Sequence, residues 1–233
     1  MPDATPPLDA DRVIREFSGV VPVFPLPSLV LLPDTIAPLL IFEDRYRRMV
    51  ADALEGEKLI AMAWLKPGWE TQYNGNPPFH ETVCVGSIVS HEKLPDGRYK
   101  ILLYGLFRAN VVEETQTSPY RTVRVTPAPD TVEGADARTV AQRVHETLDR
   151  LPGRRGRVGR IRLLAQQVRG ADAGPGRIAD AAAEAAELEA DERYRILAEP
   201  DVLRRLSTLI DILDRKGSAA HKDLPPRTDP SLN

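Results

Sequence analysis

The apolar positions between residues 21 and 54 change their spacing partway along. Through residue 42 they run almost unbroken, VPVFPLPSLVLLPDTIAPLLIF, punctuated by Pro22, Pro25, Pro27, Pro33 and Pro38. Proline has no N–H to give to a central ladder, so the stretch predicts short strands that end at edges or bulges. From residue 43 the spacing becomes helical. Tyr46, Met49, Val50, Ala53 and Leu54 share one face, and Arg45, Arg47, Arg48 and Asp52 take the other. That spacing predicts an amphipathic helix over 43–54.

More β structure follows. Residues 59–64 and 82–89 read as strands. The second carries Gly86, and a glycine inside a strand marks a bulge or a barrel bend. Leu94-Pro95-Asp96-Gly97 is a turn, in which proline fixes one φ and glycine permits a positive one. Residues 98–113 read as one long strand or a bent pair with Gly105 at the bend, and 120–125 alternates as a closing strand. Short strands broken by Pro and Gly predict a small barrel over 20–130.

Beyond residue 129 the period is helical, with helices expected over 136–151, 158–168, 177–188, 191–198 and 202–213. Asp201 stands as N-cap of the last. The organisation expected is α+β: a β-rich lobe over 20–130, then a helical lobe over 131–216. A flexible leader over 1–19, with a short amphipathic piece at 13–17, and a disordered tail over 217–233 flank them.

Composition narrows the function classes. The chain has 233 residues, 42% of them hydrophobic, which is enough to bury a core. Net charge is -3, so no global basic field attracts nucleic acid. A single cysteine, Cys84, excludes an internal disulfide and fits a reducing cytoplasm. No apolar run reaches the ~18 residues of a membrane span. Nowhere does lysine follow glycine, so the phosphate loop GxxxxGK[ST] is absent.

Candidate chemistry is sparse. The long connection over 66–80 carries Trp69, Tyr73 and Phe79 among Gly, Asn and Pro. Exposed rings there would suit capture of apolar polypeptide, whereas rings folded back would cap the barrel. His80-Glu81 and His91-Glu92 do not extend to HExxH and have no cysteine pair beside them, so no metal site is expected. Residues 151–170 hold Arg154, Arg155, Arg157, Arg160, Arg162 and Arg169 and no acid. They form either a phosphate-contacting stripe or a solvated face opposite the acidic segment 180–201. The Arg45, Arg47 and Arg48 face of the first helix allows the same two readings. Cys84 has no base near it in sequence, and no nucleophile–base–orienter set is present, so neither an enzyme nor a cofactor is expected.

The run FPLPSLVLLPDTIAPLLIFEDRYRRMV resembles the opening of the Lon protease N-terminal domain, the LON substrate-binding domain. The signature positions are Phe24, Pro25, Pro33, Phe42, Glu43, Arg45 and Tyr46. Three later pieces agree: Val85 to Ile88 with Gly86; Leu94 to Arg98 with Asp96 and Gly97, leading to Gly105 and Arg108; and the helical run 196–206. The resemblance spans roughly residues 20–215 and departs at Asp34, where glycine is common, and at Ala109, where an aromatic is common. It implies a PUA-like pseudo-barrel followed by a helical bundle, in a stand-alone, bacterial-type copy without ATPase and peptidase modules. Glu43 and Arg45 would orient the strand-to-helix junction. The function implied is a non-catalytic, ATP-independent polypeptide-recognition module, an adaptor or weak holdase in cytoplasmic protein quality control. Its partners would be unfolded or tagged polypeptides and a separate Lon protease. The alternative is an RNA- or DNA-binding PUA-like protein that uses the arginines of 154–169.

Overall fold

A computed structural model describes residues 10–72, 75–132, 139, 142, 174–186 and 188–222. Helix α1 (Ala10–Glu16) leads into β1 (Val20–Leu26) and β2 (Ile36–Ile41). Helix α2 (Asp44–Glu55), β3 (Leu59–Trp64), β4 (Thr82–Lys93), β5 (Tyr99–Gln116) and β6 (Thr122–Pro127) follow. Helices α3 (Pro175–Ala185), α4 (Ala190–Ala198) and α5 (Val202–Lys222) end the described chain.

The strands form one sheet in the order β2-β5-β4-β3-β1-β6, and β5 also pairs with β6. That extra pairing closes β1, β3, β4, β5 and β6 into a ring. β5 can serve three neighbours because it is 18 residues long. Its first part, Tyr99 to Tyr104, pairs with β2, and its later part, Ala109 to Gln116, pairs with β6. β2 therefore continues the sheet outside the ring, with β5 as its sole strand neighbour among the described residues.

The prolines of β1 are not at an edge, contrary to the expectation for this stretch. β1 lies between β3 and β6, but its pairings are staggered. Val20, Val21 and Pro22 face β6, and Val23 to Leu26 face β3. Pro22 and Pro25 each meet a partner on one side only, so a missing N–H breaks no central ladder. Pro38 does sit on the end strand.

Side chains alternate between two apolar clusters. Val21, Val23, Leu59, Ala61, Ala63, Val83, Val85, Phe107, Ala109, Val123 and Val125 come from all five ring strands and fill its interior. The opposite faces of β1, β3 and β4, with Phe24, Ile60, Met62, Cys84 and Ile88, join a second cluster. α2 supplies Tyr46, Met49 and Val50 to it, and the C-terminal helices supply Ala182, Ala183, Ile196, Leu197, Leu209 and Ile212. β3 is buried on both faces, which explains its unbroken apolar run.

Gly86 and Gly105 are register partners beside a β-bulge in the β4–β5 ladder. The segment Leu31 to Thr35 crosses over them. Gly105 donates its N–H to the Thr35 carbonyl and accepts from the Asp34 N–H, both at 2.9 Å. A Cβ on Gly105 would run into the Leu32 carbonyl, and one on Gly86 would meet the Tyr104 carbonyl oxygen at 2.9 Å. Close backbone approach therefore requires glycine at both positions. Asp34 has φ 59°, and aspartate is one of the few side chains that tolerates it.

Three expected boundaries move. Val13, Ile14 and Phe17 of the supposed leader pack on the ring interior, with the Phe17 and Phe107 rings 5.8 Å apart. Apolar burial thus ties down residues 10–17. The last helix starts where expected, with Asp201 Oδ1 accepting the Arg204 N–H at 2.8 Å. It continues to Lys222, six residues into the supposed tail. β4 runs on to Lys93 because β5 pairs with it as far as Tyr99. The arginines of 154–169 lie outside the described residues, as do the helices expected over 136–151 and 158–168 apart from Thr139 and Gln142.

Candidate functional site

The long connection after β3 does not present Trp69 and Phe79 as a shared exposed surface. Trp69 opens a short 3-10 turn, Trp69–Gln72, and packs partly buried on the ring cluster. Phe79 is buried and bridges to Leu65. The Arg121 guanidinium lies 4.3 Å over the Phe79 ring, donates to the Pro77 carbonyl at 2.6 Å and forks onto the Glu114 carboxylate. Phe79 is thus buried as a cap of the barrel. Tyr73 lies outside the described residues.

Exposed apolar surface gathers instead on the outer face of β2, β5 and β4. The alternate residues Ile36, Pro38 and Leu40 of β2 point outward, and Ile36 and Leu40 are 55% and 47% exposed. Leu102 of β5, 38% exposed, is the register partner of both Pro38 and Ser90. Val89, bulged out of the β4–β5 ladder, is exposed beside it. Phe42, just past β2, is 61% exposed. A groove of about 420 Å³ runs over this face, floored by Pro38, Leu40 and Leu102 and rimmed by His91, Glu92 and Lys100. Glu92 and Lys100 pair at 3.2 Å along the rim. Such a face, beside a strand with an open edge, can receive an extended apolar segment.

The signature residues act mostly as supports. The Phe24 and Tyr46 rings pack tilted against each other, 4.5 Å between centroids, and Pro25 and Pro33 are buried. Arg45 binds the Glu43 carboxylate at 2.9 Å and lies 4.6 Å over the Tyr46 ring, fastening the β2–α2 junction. Asp96 accepts the Arg98 backbone N–H at 3.1 Å in the hairpin turn, where Gly97 has φ 83°. Arg108 belongs to a buried charge cluster that its sequence neighbours do not reveal. It donates to Asp180 at 2.5 Å and to Asp130 at 3.3 Å. Arg205 donates to Asp180 at 3.0 Å and also to Asp130. Burial pushes the Asp180 carboxyl up, and the two guanidiniums oppose it. Burial acts most strongly against the charge of Arg108, but the neighbouring acids, Asp180 foremost and then Asp130, together outweigh it and raise its pKa. The cluster joins the ring to α3 and α5.

A second seam joins the ring to α4. His80 stacks flat on Trp64, with centroids 4.6 Å apart, and lies 4.4 Å from the Tyr194 ring. Its Nε2 is buried without a hydrogen-bond partner. Burial, then the charge of Lys66, lowers the His80 pKa from 6.5, while Glu81 opposes them. The folded state therefore keeps the imidazole neutral where the unfolded chain takes up a proton. Stability is expected to fall as pH drops from about 6.5 through the lowered folded value. Urea midpoints measured between pH 7 and 5 test this: His80→Phe should flatten the slope, and an unchanged slope would refute it.

Cys84 is fully buried, and burial pushes its thiol up, away from nucleophile range. His91 and Glu92 are exposed on β4. Among the described residues no three His, Cys, Asp or Glu side chains gather as metal ligands, and no helix is long and apolar enough to cross a membrane.

A family model described as the ATP-dependent protease La (LON) substrate-binding domain matches residues 20–215. Lon protease of Trichlorobacter lovleyi is 27% identical over 220 residues, covering 91% of this chain and 26% of that protein. Lon protease 2 of Bdellovibrio bacteriovorus is 31% identical over 214 residues, covering 87% and 25%. The chain thus spans about a quarter of the length of these curated relatives. Among solved structures, the N-terminal domain of Mycobacterium avium complex Lon protease superposes with a TM-score of 0.59 at 19% identity, covering 84% of this chain and 98% of that one. A Lon N-terminal domain protein from Xanthomonas campestris gives 0.55 at 22% identity, covering 82% and 97%. At these identities the likeness shows the fold.

Proposed function

Since the chain belongs to the ATP-dependent protease La (LON) substrate-binding domain family, we propose that it is a polypeptide-recognition module whose contact surface is the outer face of β2, β5 and β4. The observation that carries this is the cluster of exposed Ile36, Pro38, Leu40, Val89 and Leu102 beside the open edge of β2. An extended client segment would lay alternate apolar side chains into the groove and align its backbone with β2. Pro38 withholds one N–H from that strand, which limits unselective strand addition.

The binding is non-catalytic and independent of ATP in this reading. The single buried cysteine and the want of a phosphate loop in the sequence support it. Unfolded or tagged polypeptides are the clients, and the role is that of an adaptor, or a weak holdase, in cytoplasmic quality control. The PUA-like pseudo-barrel is the framework: a closed ring with β2 laid outside it fits that description. Of the two described loop rings, Trp69 keeps a part in recognition.

Fluorescence anisotropy of a labelled, unfolded apolar polypeptide tests the proposal. Leu102→Asp should weaken binding at least tenfold, because a carboxylate in the groove must be desolvated on docking. The melting temperature should stay within a few degrees, since Leu102 is already solvent-exposed. Undiminished binding by Leu102→Asp would refute it.

A further inference from the structure

A second cavity lies one step along the chain from the apolar groove. It measures about 440 Å³ and is lined by Pro25, Leu26, Pro27, Glu43, Tyr46, Trp69 and Glu70. The two sites are linked through residues 38–43. Pro38 and Leu40 floor the groove, Phe42 stands exposed between the two, and Glu43 lines the second cavity. Its walls are proline rings, an indole and a tyrosine, and its polar lining is acidic. Glu43 is held by Arg45, whereas Glu70 has no ion-pair partner among the described residues.

That combination suits one kind of side chain. A lysine or arginine can lay its methylene stem along Pro25, Pro27 and Trp69 while its charged head reaches Glu70. Arg45 shows the same chemistry inside the protein, with its guanidinium over the Tyr46 ring and against Glu43. An apolar head would leave Glu70 desolvated and unpaired, and an acidic one would meet the like charge of Glu70.

We infer that this cavity is a cation-accepting subsite, so that the preferred client carries a lysine or arginine a short distance from its apolar anchor. The inference rests on the reading of the outer face as a polypeptide site. From Leu40 to Glu43 an extended chain advances about 10 Å, so in a client running parallel to β2 the basic residue should follow the anchor by about three residues. Clients are thus chosen by an apolar-then-basic pattern, beyond apolar content alone.

The experiment is an anisotropy titration with four labelled peptides sharing one apolar segment. They carry lysine at the predicted spacing, norleucine there, glutamate there, or lysine at the far end. The first should bind about three- to fivefold tighter than the norleucine peptide at low salt. The glutamate peptide should bind more weakly than either, and the far-end lysine should give no gain. Moderate salt should shrink the advantage. The exposed substitution Glu70→Gln should abolish it and leave the norleucine peptide unaffected. Equal binding of the lysine and norleucine peptides, or an equal gain from the far-end lysine, overturns the subsite and leaves the apolar face standing. Failure of all four to bind, or binding indifferent to Leu102→Asp, overturns both.

Discussion

Asp180→Ala is expected to cost about 3 kcal/mol of stability, because it leaves two buried guanidiniums without their shared carboxylate. Asp180 and Arg205 are each 1% exposed, and Arg108 is 4% exposed. Asp130, whose side chain is more open, remains as a partial counterion and keeps the loss toward the low end of the range for a broken buried pair. The loss falls on the seam between the ring and helices α3 and α5, so hydrogen exchange should rise first in those helices. Urea unfolding checks the magnitude. Replacing Arg108, Asp180 and Arg205 together by Met, Leu and Met should recover most of the loss, since matched apolar packing often equals a buried ionic cluster. A single-variant loss under about 1 kcal/mol would show that the cluster does not fasten the helices.

Gly105→Ala should be at least as damaging, at about 3 kcal/mol or more. The added methyl meets the Leu32 backbone carbonyl, its carbon at 3.0 Å, and Cys84 Sγ at 3.1 Å. Backbone on one side and packed sulfur on the other leave nothing flexible to yield, so the strand or the crossing segment must shift. The same substitution at Gly174 meets nothing within 4 Å and, at the N-cap of α3, should cost no more than about 1 kcal/mol. Thermal melts of the two variants make the comparison, and similar melting temperatures would contradict the close approach.

What could be read in advance follows from how local each signal is. The helix of residues 43–54, the strand 59–64 and the turn at Asp96 and Gly97 were legible, because periodicity and turn chemistry act over a few residues. Gly86 and Gly105 were legible as bends, but their meeting across one ladder was not, since register is set by pairing. Asp34 marked a departure from the family pattern, yet its left-handed backbone and its 2.6 Å bond from the Tyr104 hydroxyl appear only in the fold. Arg108 finds its carboxylate 72 positions away, beyond any local pattern.

The site was less legible than the fold. In residues 36–41, IAPLLI, both parities are apolar, so alternation could not say that one face would stay open to solvent. Its signal was present all the same: a proline-bearing strand apolar on both faces has a second surface to cover. Phe79 misled for the opposite reason. Its neighbours are loop-like, and only the distant Arg121 and Leu65 reveal it as part of the core.

The ring has a consequence for how the protein comes into being. Its first strand, β1, takes its last strand, β6, as a neighbour, and β5 must pair with β6 as well. Nothing closes until the chain has been made through Pro127. At a translation rate of roughly 5–20 residues per second, the intervening ~100 residues occupy about 5–20 s. Throughout that interval the lining of β3 and β4 stays open on the nascent chain. Contacts so far apart in sequence also form slowly. A ribosome stalled before β6 would therefore release an unclosed sheet with its apolar interior facing outward, prone to aggregate before it could serve any other polypeptide.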